Sequence, residues 1–464
     1  MSARPAGPAL RTGAPAELES LCLRALERAR AHGAQVADAC AESSHAFTVR
    51  AHGGNLESLK QSGTLGLGLR AVVGDAVGFA SGTDLSAQGL DDLARRAVAL
   101  ARYATPDPAN GAPGPAEVGE PSGADLDLFD ASALEWPVER KIEMALELER
   151  MTRAADPRVT RTDGASVSSS GGAFAVANTH GVVRSFEGTS VSAWVVALAD
   201  DRDGRQQTGA EGMTVRHLGD LEPVEKLARA AAKRAVDRIG ARSVPTARVP
   251  VVMHPDIAGA WLAEMADAWS GESLIKQSSW LTGKLGETVA SPIVTVVDDG
   301  SLPRRVGSSP YDGEGLRTRR NVLLDHGRLA MFVYDHYHAR RAGRASTANA
   351  LRSWSNTPGI GFHNLYMEPG QETPEAILRK VDRGFFYDDQ GSFGFNAVTG
   401  DYSFQAQGYW IENGERAFPV DGVTVAGNSL DMLRAIAAVG SDLEWRSSVA
   451  CPTLLIAELT VSGS

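Results

Sequence analysis

Few side chains in this sequence have the spacing of a reactive centre, and most of them lie in its second half. Asp335-His336-Tyr337-His338 offers two imidazoles at i and i+2. In a strand such a pair projects from one face and can supply two metal ligands, whereas in a helix the same rings diverge. The surroundings, FVYDHYHARRAG, read as easily as a helix as a strand, and no third ligand is evident. Asp298-Asp299-Gly300 and Tyr311-Asp312-Gly313-Glu314-Gly315 are acidic turns. Carboxylates such as Asp312 and Glu314 can act as an acid/base couple once burial or close pairing shifts them. They can also shape turns, pair with Arg317, Arg319 and Arg320 nearby, or hold a polypeptide main chain in a cleft. Cys22, Cys40 and Cys451 are scattered without a CxxC pair, a pattern that does not suggest a zinc knuckle or a disulfide framework. There is no GxSxG and no Walker A loop, and Gly66-x-Gly68 and Gly359-x-Gly361 are too short for a phosphate cradle.

These residues need elements to position them. His254-Pro255-Asp256 reads as a helix start, with proline in the first turn and a carboxylate at the positive end. Ile257, Trp261, Met265 and Trp269 continue it as an apolar stripe, and Cys451 sits in VACPTLLIAEL, which reads as a buried strand. Further on, VTGDYSFQAQGYWIENGERAFPVDGVTVAGN predicts two strands joined at Asn413-Gly414, a pair suited to a type I′ turn. Leu430, Leu433 and Ile436 predict a helix after it. The first half contains two blocks of one plan: strand, turn, long strand, turn, strand, helix, from Ala46 and again from Ala173, each preceded by a helix. The reading is an α+β chain. A loose N-terminus over 1–15 precedes a duplicated α/β domain over 16–243, with a Pro-rich linker at 104–124, and a β-rich mixed domain covers 244–464.

At 464 residues the chain has room for two or three domains, and 43% hydrophobic with 22% charged residues is ordinary for a soluble globular protein. A net charge of −11 argues against nucleic acid as a main partner. No apolar run of about 18 residues predicts a membrane span. The N-terminus shows no apolar core of a secretion signal, and the unpaired cysteines suit a reducing cytoplasm.

Thr399-Gly400-Asp401, Ile411-Glu412-Asn413-Gly414-Glu415, Pro419-Val420 and Ala426-Gly427-Asn428, in this order, resemble the C-terminal signature of the TldD/PmbA family, also called the modulator of DNA gyrase family. Ser270-Gly271-Glu272 and Ser279 to Gly286 resemble it as well. In the catalytic TldD arm the helix after His254 carries HExxxH, two histidines binding zinc and a glutamate acting as base. Here Leu262, Ala263 and Asp267 stand at those three positions, and the cysteine ligand has no evident equivalent. The resemblance is therefore to the PmbA, or TldE, arm. It implies a chain with no catalytic residue, metal ligand or cofactor of its own, paired with a zinc-bearing TldD-like subunit around a cavity that admits unfolded peptide. Asp312, Glu314, Thr399, Asp401, Asn413 and Asn428 are the family-motif positions that could border that cleft. Asp401 and Asn428 could equally hold backbone as Asx turns do. An independent hydrolase built on the acidic turns or the His-x-His pair, a regulatory protein-binding module and a homodimer remain open at this point.

Overall fold

The computed structural model describes residues 14–120, 125–392 and 394–463. The expected loose N-terminus lies outside these residues up to 13, and Pro15 already opens a helix. The first half runs α1 (Pro15–Ala31), β1 (Val36–His52), β2 (Asn55–Val73), β3 (Ala76–Gly82) and α2 (Ala87–Ala101), then the short α3 (Pro115–Val118) and α4 (Ala131–Glu135). It repeats with α5 (Val138–Ala154), β4 (Val159–Asn178), β5 (Val183–Asp200), β6 (Gln206–Val215) and α6 (Val224–Asp237). The strands form one antiparallel sheet ordered β3-β2-β1-β4-β5-β6, so the two copies of the unit meet at β1 and β4.

Strand periodicity places all four long helices on one face. Ala37, Ala39 and Ala41 of β1 pack under α1 and α2, while Phe47, Val49 and Ala51 of the same strand and face pack under α5 and α6. The opposite face carries Asp38, Cys40 and Glu42, and it meets the second half, where Arg352 pairs with Asp38. Of the Pro-rich stretch, 104–120 is tied down. Arg340 donates to the carbonyls of Pro108 (2.7 Å) and Asn110 (2.8 Å), and Asn178 to that of Pro113 (2.9 Å). Residues 121–124 of the expected linker lie outside the described residues.

The second half opens with β7 (Ala247–Met253) and α7 (Pro255–Met265). Its centre is a five-stranded closed barrel. β7 pairs in parallel with Arg383–Gln390, which pairs with Asp401–Glu412 and then Glu415–Asn428. The last strand, Leu454–Ser462, pairs with both β7 and Glu415–Asn428 and closes the ring. Val251, Met253, Phe385, Phe404, Val425 and Ile456 join Trp261, Leu262 and Met265 of α7 in one apolar core. The predicted apolar stripe is present, but its last member, Trp269, sits in a 3₁₀ turn (Ala266–Trp269) continuing α7. The helix expected through Ile436 is shorter, Ser429–Arg434, because Ile436 begins a strand that pairs with Ile456.

Candidate functional site: a cleft between the two halves

α7 positions the central surface. His254 caps it, its Nδ1 accepting from the Asp256 backbone N–H at 3.2 Å, and Pro255 occupies the first turn. Asp256, Gly259, Ala260 and Ala263 recur at three- and four-residue spacing, so they form one stripe along the helix. That stripe is the floor of a cleft of about 710 Å³ between the sheet of the first half and the barrel of the second. Ser192 and Trp194 of β5, Glu211 and Met213 of β6, Phe386, Val449 and Cys451 form its walls. Arg416, Asp442, Glu444 and Arg446 also border it. Trp194 lies across Gly212, where a Cβ would come within 2.1 Å of the indole, so only glycine admits this wall.

Most of the cleft's charges satisfy one another. Arg234 reaches Asp256 at 2.8 Å and Glu211 at 3.6 Å, and Arg446 pairs with Glu211 and with Glu444 (3.3 Å). Burial pushes the Glu211 carboxyl above its usual value, against the pull of Arg234 and Arg446. Burial likewise lowers the affinity of His254 for a proton, with Asp256 opposing, so the imidazole is neutral at physiological pH. Cys451 sits in the loop before the last strand rather than in the strand, at the cleft wall, and burial pushes its thiol well up. A thiol held protonated is a poor nucleophile and a poor metal ligand.

The same arginines cap the edge of the large sheet. β6 is an edge strand, and its carbonyls at Thr208, Ala210 and Gly212 accept from Arg238 (2.8 Å), Arg234 (3.1 Å) and Arg446 (3.5 Å). The Thr214 N–H donates to the Arg446 carbonyl at 3.1 Å. Strand addition, the natural mode for peptide at a β-rich cleft, therefore meets an edge whose carbonyls at Thr208, Ala210 and Gly212 already accept from arginines.

The positions singled out in the sequence separate into four places. Ala263 is exposed on the cleft floor, Leu262 is fully buried in the apolar core, and Asp267 lies beyond the end of α7. Asp312 and Glu314 are buried where the second half meets β2, away from the cleft lining. Asp312 accepts from the N–H groups of Glu314, Leu316 and Ala350, while Glu314 accepts from the His336 N–H (2.8 Å) and from Arg70 (3.4 Å). Thr399, Asp401 and Asn428 form a latch outside the cleft: Thr399 Oγ1 donates to Asp401 (2.6 Å), and Asn428 Nδ2 donates to Asp401 and to the Thr399 carbonyl (both 2.9 Å). Asn413 and Gly414 take positive φ in the expected turn, and their N–H groups bond the carbonyls of Asp382 and Val381.

His336 opens a helix (His336–Ala342), so its ring and that of His338 diverge; His338 bonds Asp335 at 2.8 Å, and His336 lies 3.4 Å from Glu117. Among the described residues no three His, Cys, Asp or Glu side chains are grouped to hold a metal ion. With Leu262 in the core and Ala263 bare on the floor, the donors at α7 do not fit zinc. Arg319, Arg320, Arg340 and Arg341 bond Ser346, Glu368, the Pro108 and Asn110 carbonyls, and Asp107. Gly66-x-Gly68 is a platform for the Trp354 hairpin: a Cβ at either glycine would come within 2.2 Å of Trp354 atoms. The three capping arginines were not singled out in the sequence, because each acts on a strand far from it along the chain.

Sequence and fold match a known family. Residues 37–101 match the model of PmbA/TldA metallopeptidase domain 1, 132–239 the central domain and 246–463 the C-terminal domain. The chain belongs to the PmbA/TldD metallopeptidase family. It is 31% identical to Metalloprotease PmbA of Escherichia coli O157:H7 over 450 residues, 96% of each chain. It is 28% identical to a Metalloprotease TldD homolog of Haemophilus influenzae, covering 86% of this chain and 87% of that one. The crystal structure of TldE from Thermococcus kodakarensis superposes with a TM-score of 0.85 at 22% identity, over 94% of this chain and 99% of that one. Among the described residues no helix is long and apolar enough to cross a membrane.

Proposed function

We propose that this chain is the TldE/PmbA-type, non-catalytic subunit of a two-chain zinc metallopeptidase that degrades or matures unfolded peptides. It builds one wall of the chamber, and a TldD-like subunit supplies the zinc and its base. The observation that carries this reading is the α7 surface. Where HExxxH chemistry requires imidazoles and a carboxylate facing a cavity, the cleft is floored by Gly259, Ala260 and Ala263, with Leu262 turned into the core. An independent hydrolase built on Asp312 and Glu314 is disfavoured, since both are enclosed and engaged by backbone N–H groups.

The test is to purify the chain alone and co-expressed with a TldD-like partner, then to measure zinc by mass spectrometry and cleavage of an unfolded peptide. The expected result is a complex that binds zinc and cleaves, with neither property in the isolated chain, which can self-associate when the partner is missing. Stoichiometric zinc with proteolysis by the isolated chain sinks the reading, as does failure of any TldD-like chain to associate.

A further inference from the structure

Resting on that reading of the cleft, we propose that it seats the free C-terminal end of a peptide, with the last side chain apolar and the terminal carboxylate on Arg416. Three observations converge on this occupant.

Charge is the first. Arg234 and Arg446 are paired with Asp256, Glu211 and Glu444, and Asp442 accepts from the Thr453 N–H (3.0 Å) and hydroxyl (2.7 Å). Arg416 is the lining arginine with no carboxylate in salt-bridge range among the described residues. Its guanidinium lies over the Phe386 ring at 3.5 Å from the centroid and 5.4 Å from that of Tyr409. Stacking fixes the plane of the fork while leaving its N–H groups available, which is the arrangement that takes a carboxylate bidentately. His254, 6.4 Å from the same ring, is neutral, and the Glu375 carboxylate acts on Arg416 from beyond salt-bridge range.

Chemistry of the walls is the second. Gly259, Ala260 and Ala263 leave the floor open, and Trp194, Met213, Phe386 and Val449 surround it with apolar surface. A cavity of about 710 Å³ falls within the roughly 300–1,000 Å³ of small-ligand sites, which accommodates the end of a chain.

The third is the capped sheet edge. A peptide running through the cleft as an added strand would need the carbonyls of Thr208, Ala210 and Gly212, and all three already accept from arginines. End-on entry requires none of them. A chain terminus also supplies the carboxylate beside its final side chain, without a particular residue type in the sequence.

The experiment uses the full chain and a short unstructured peptide ending in phenylalanine, labelled at its N-terminus and followed by fluorescence anisotropy. The free acid, the C-terminal amide and an amide with an internal aspartate beside the phenylalanine are compared. The free acid is expected to bind about tenfold more tightly than either amide, the size of a charge-assisted hydrogen-bond pair. Arg416→Ala should bring the acid down to the amide's affinity and leave the amide unchanged, Arg416→Lys should restore part of the difference, and Ala263→Leu should weaken every peptide by filling the floor. Melting curves of the variants confirm that each is folded. Equal affinity of acid and amide, binding of neither, an internal aspartate that serves as well, or an acid preference that survives Arg416→Ala overturns the proposal. A complex with a TldD-like subunit that cleaves peptides while this preference is absent refutes only the seat; absence of any such complex refutes the broader reading.

Discussion

Glu314 shows how burial changes what a carboxylate can be. Its carboxyl is pushed up to about 8, first by desolvation and then by Asp312 and Asp335, against the pull of Arg70. Asp312 beside it is pushed to about 6, mainly by burial. Glu314 is thus largely protonated in the folded chain at neutral pH, whereas in the unfolded chain it titrates near 4.5. Between those two values the folded state holds the extra proton, so this group makes stability fall as pH rises from about 4.5 towards about 8. Glu314→Gln keeps the shape and removes the titration. The variant's melting temperature is expected to match the parent's at about pH 4.5 and below and to exceed it by a growing margin as the pH rises towards about 8. Parallel pH profiles for the two proteins would falsify this account. Peptide binding in the cleft should be unchanged, because Glu314 is not part of its lining.

The hairpin and its latch show at the level of elements what a sequence exposes and what it hides. Asn413-Gly414 was readable because a type I′ turn is a local demand, positive φ at two adjacent residues, and both residues adopt it. The duplicated units were readable for the same reason, since strand period and turn chemistry repeat along the chain. The roles of Asp401 and Asn428 needed contacts between strands. Asn428 accepts from the Leu430 N–H (3.1 Å) as the cap of the helix Ser429–Arg434, while its Nδ2 spans Thr399 and Asp401. The glycines of Gly66-x-Gly68 were legible as glycines but not as a seat for Trp354, a residue far away in sequence. Ala263 could be aligned as a missing base, yet its place on a cleft floor emerged only from the packing of the two halves. Asn428→Ala removes a cap and two further hydrogen bonds, and is expected to cost about 1–2 kcal/mol of stability. A lower urea midpoint with unaltered peptide affinity is the outcome; lost peptide binding at full stability would reassign Asn428 to a ligand.

Across the whole molecule, the two halves are joined by arginines reaching into carboxylates on the other side. Arg70 of β2 meets Glu314 (3.4 Å), Arg352 meets Asp38 of β1, Arg234 meets Asp256 (2.8 Å), and Arg446 meets Glu211 of β6. Arg238 is the most enclosed at the barrel end, bonding Asp388 (2.9 Å), Asp389 (2.5 Å) and the Thr208 carbonyl at once. Burial alone would raise the Asp388 carboxyl; Arg238, with His254 and Arg234, overcomes it and holds the group below its usual value. Removing one partner of such a pair leaves a buried charge without compensation, which typically costs about 3–5 kcal/mol. Arg238→Met is expected towards the lower end of that range, about 3 kcal/mol, because Asp389 is partly exposed and can rehydrate. Asp388→Asn in the Arg238→Met background should recover part of the loss, since it removes the stranded charge. The loss should also change little with added salt, as ions do not screen an enclosed pair as they screen a surface one. Urea unfolding of the single and double variants at low and high ionic strength measures all three terms. If Arg238→Met unfolds at the parent's midpoint, or if salt alone closes the gap, the halves are held by their apolar contacts and the arginines serve only to cap β6.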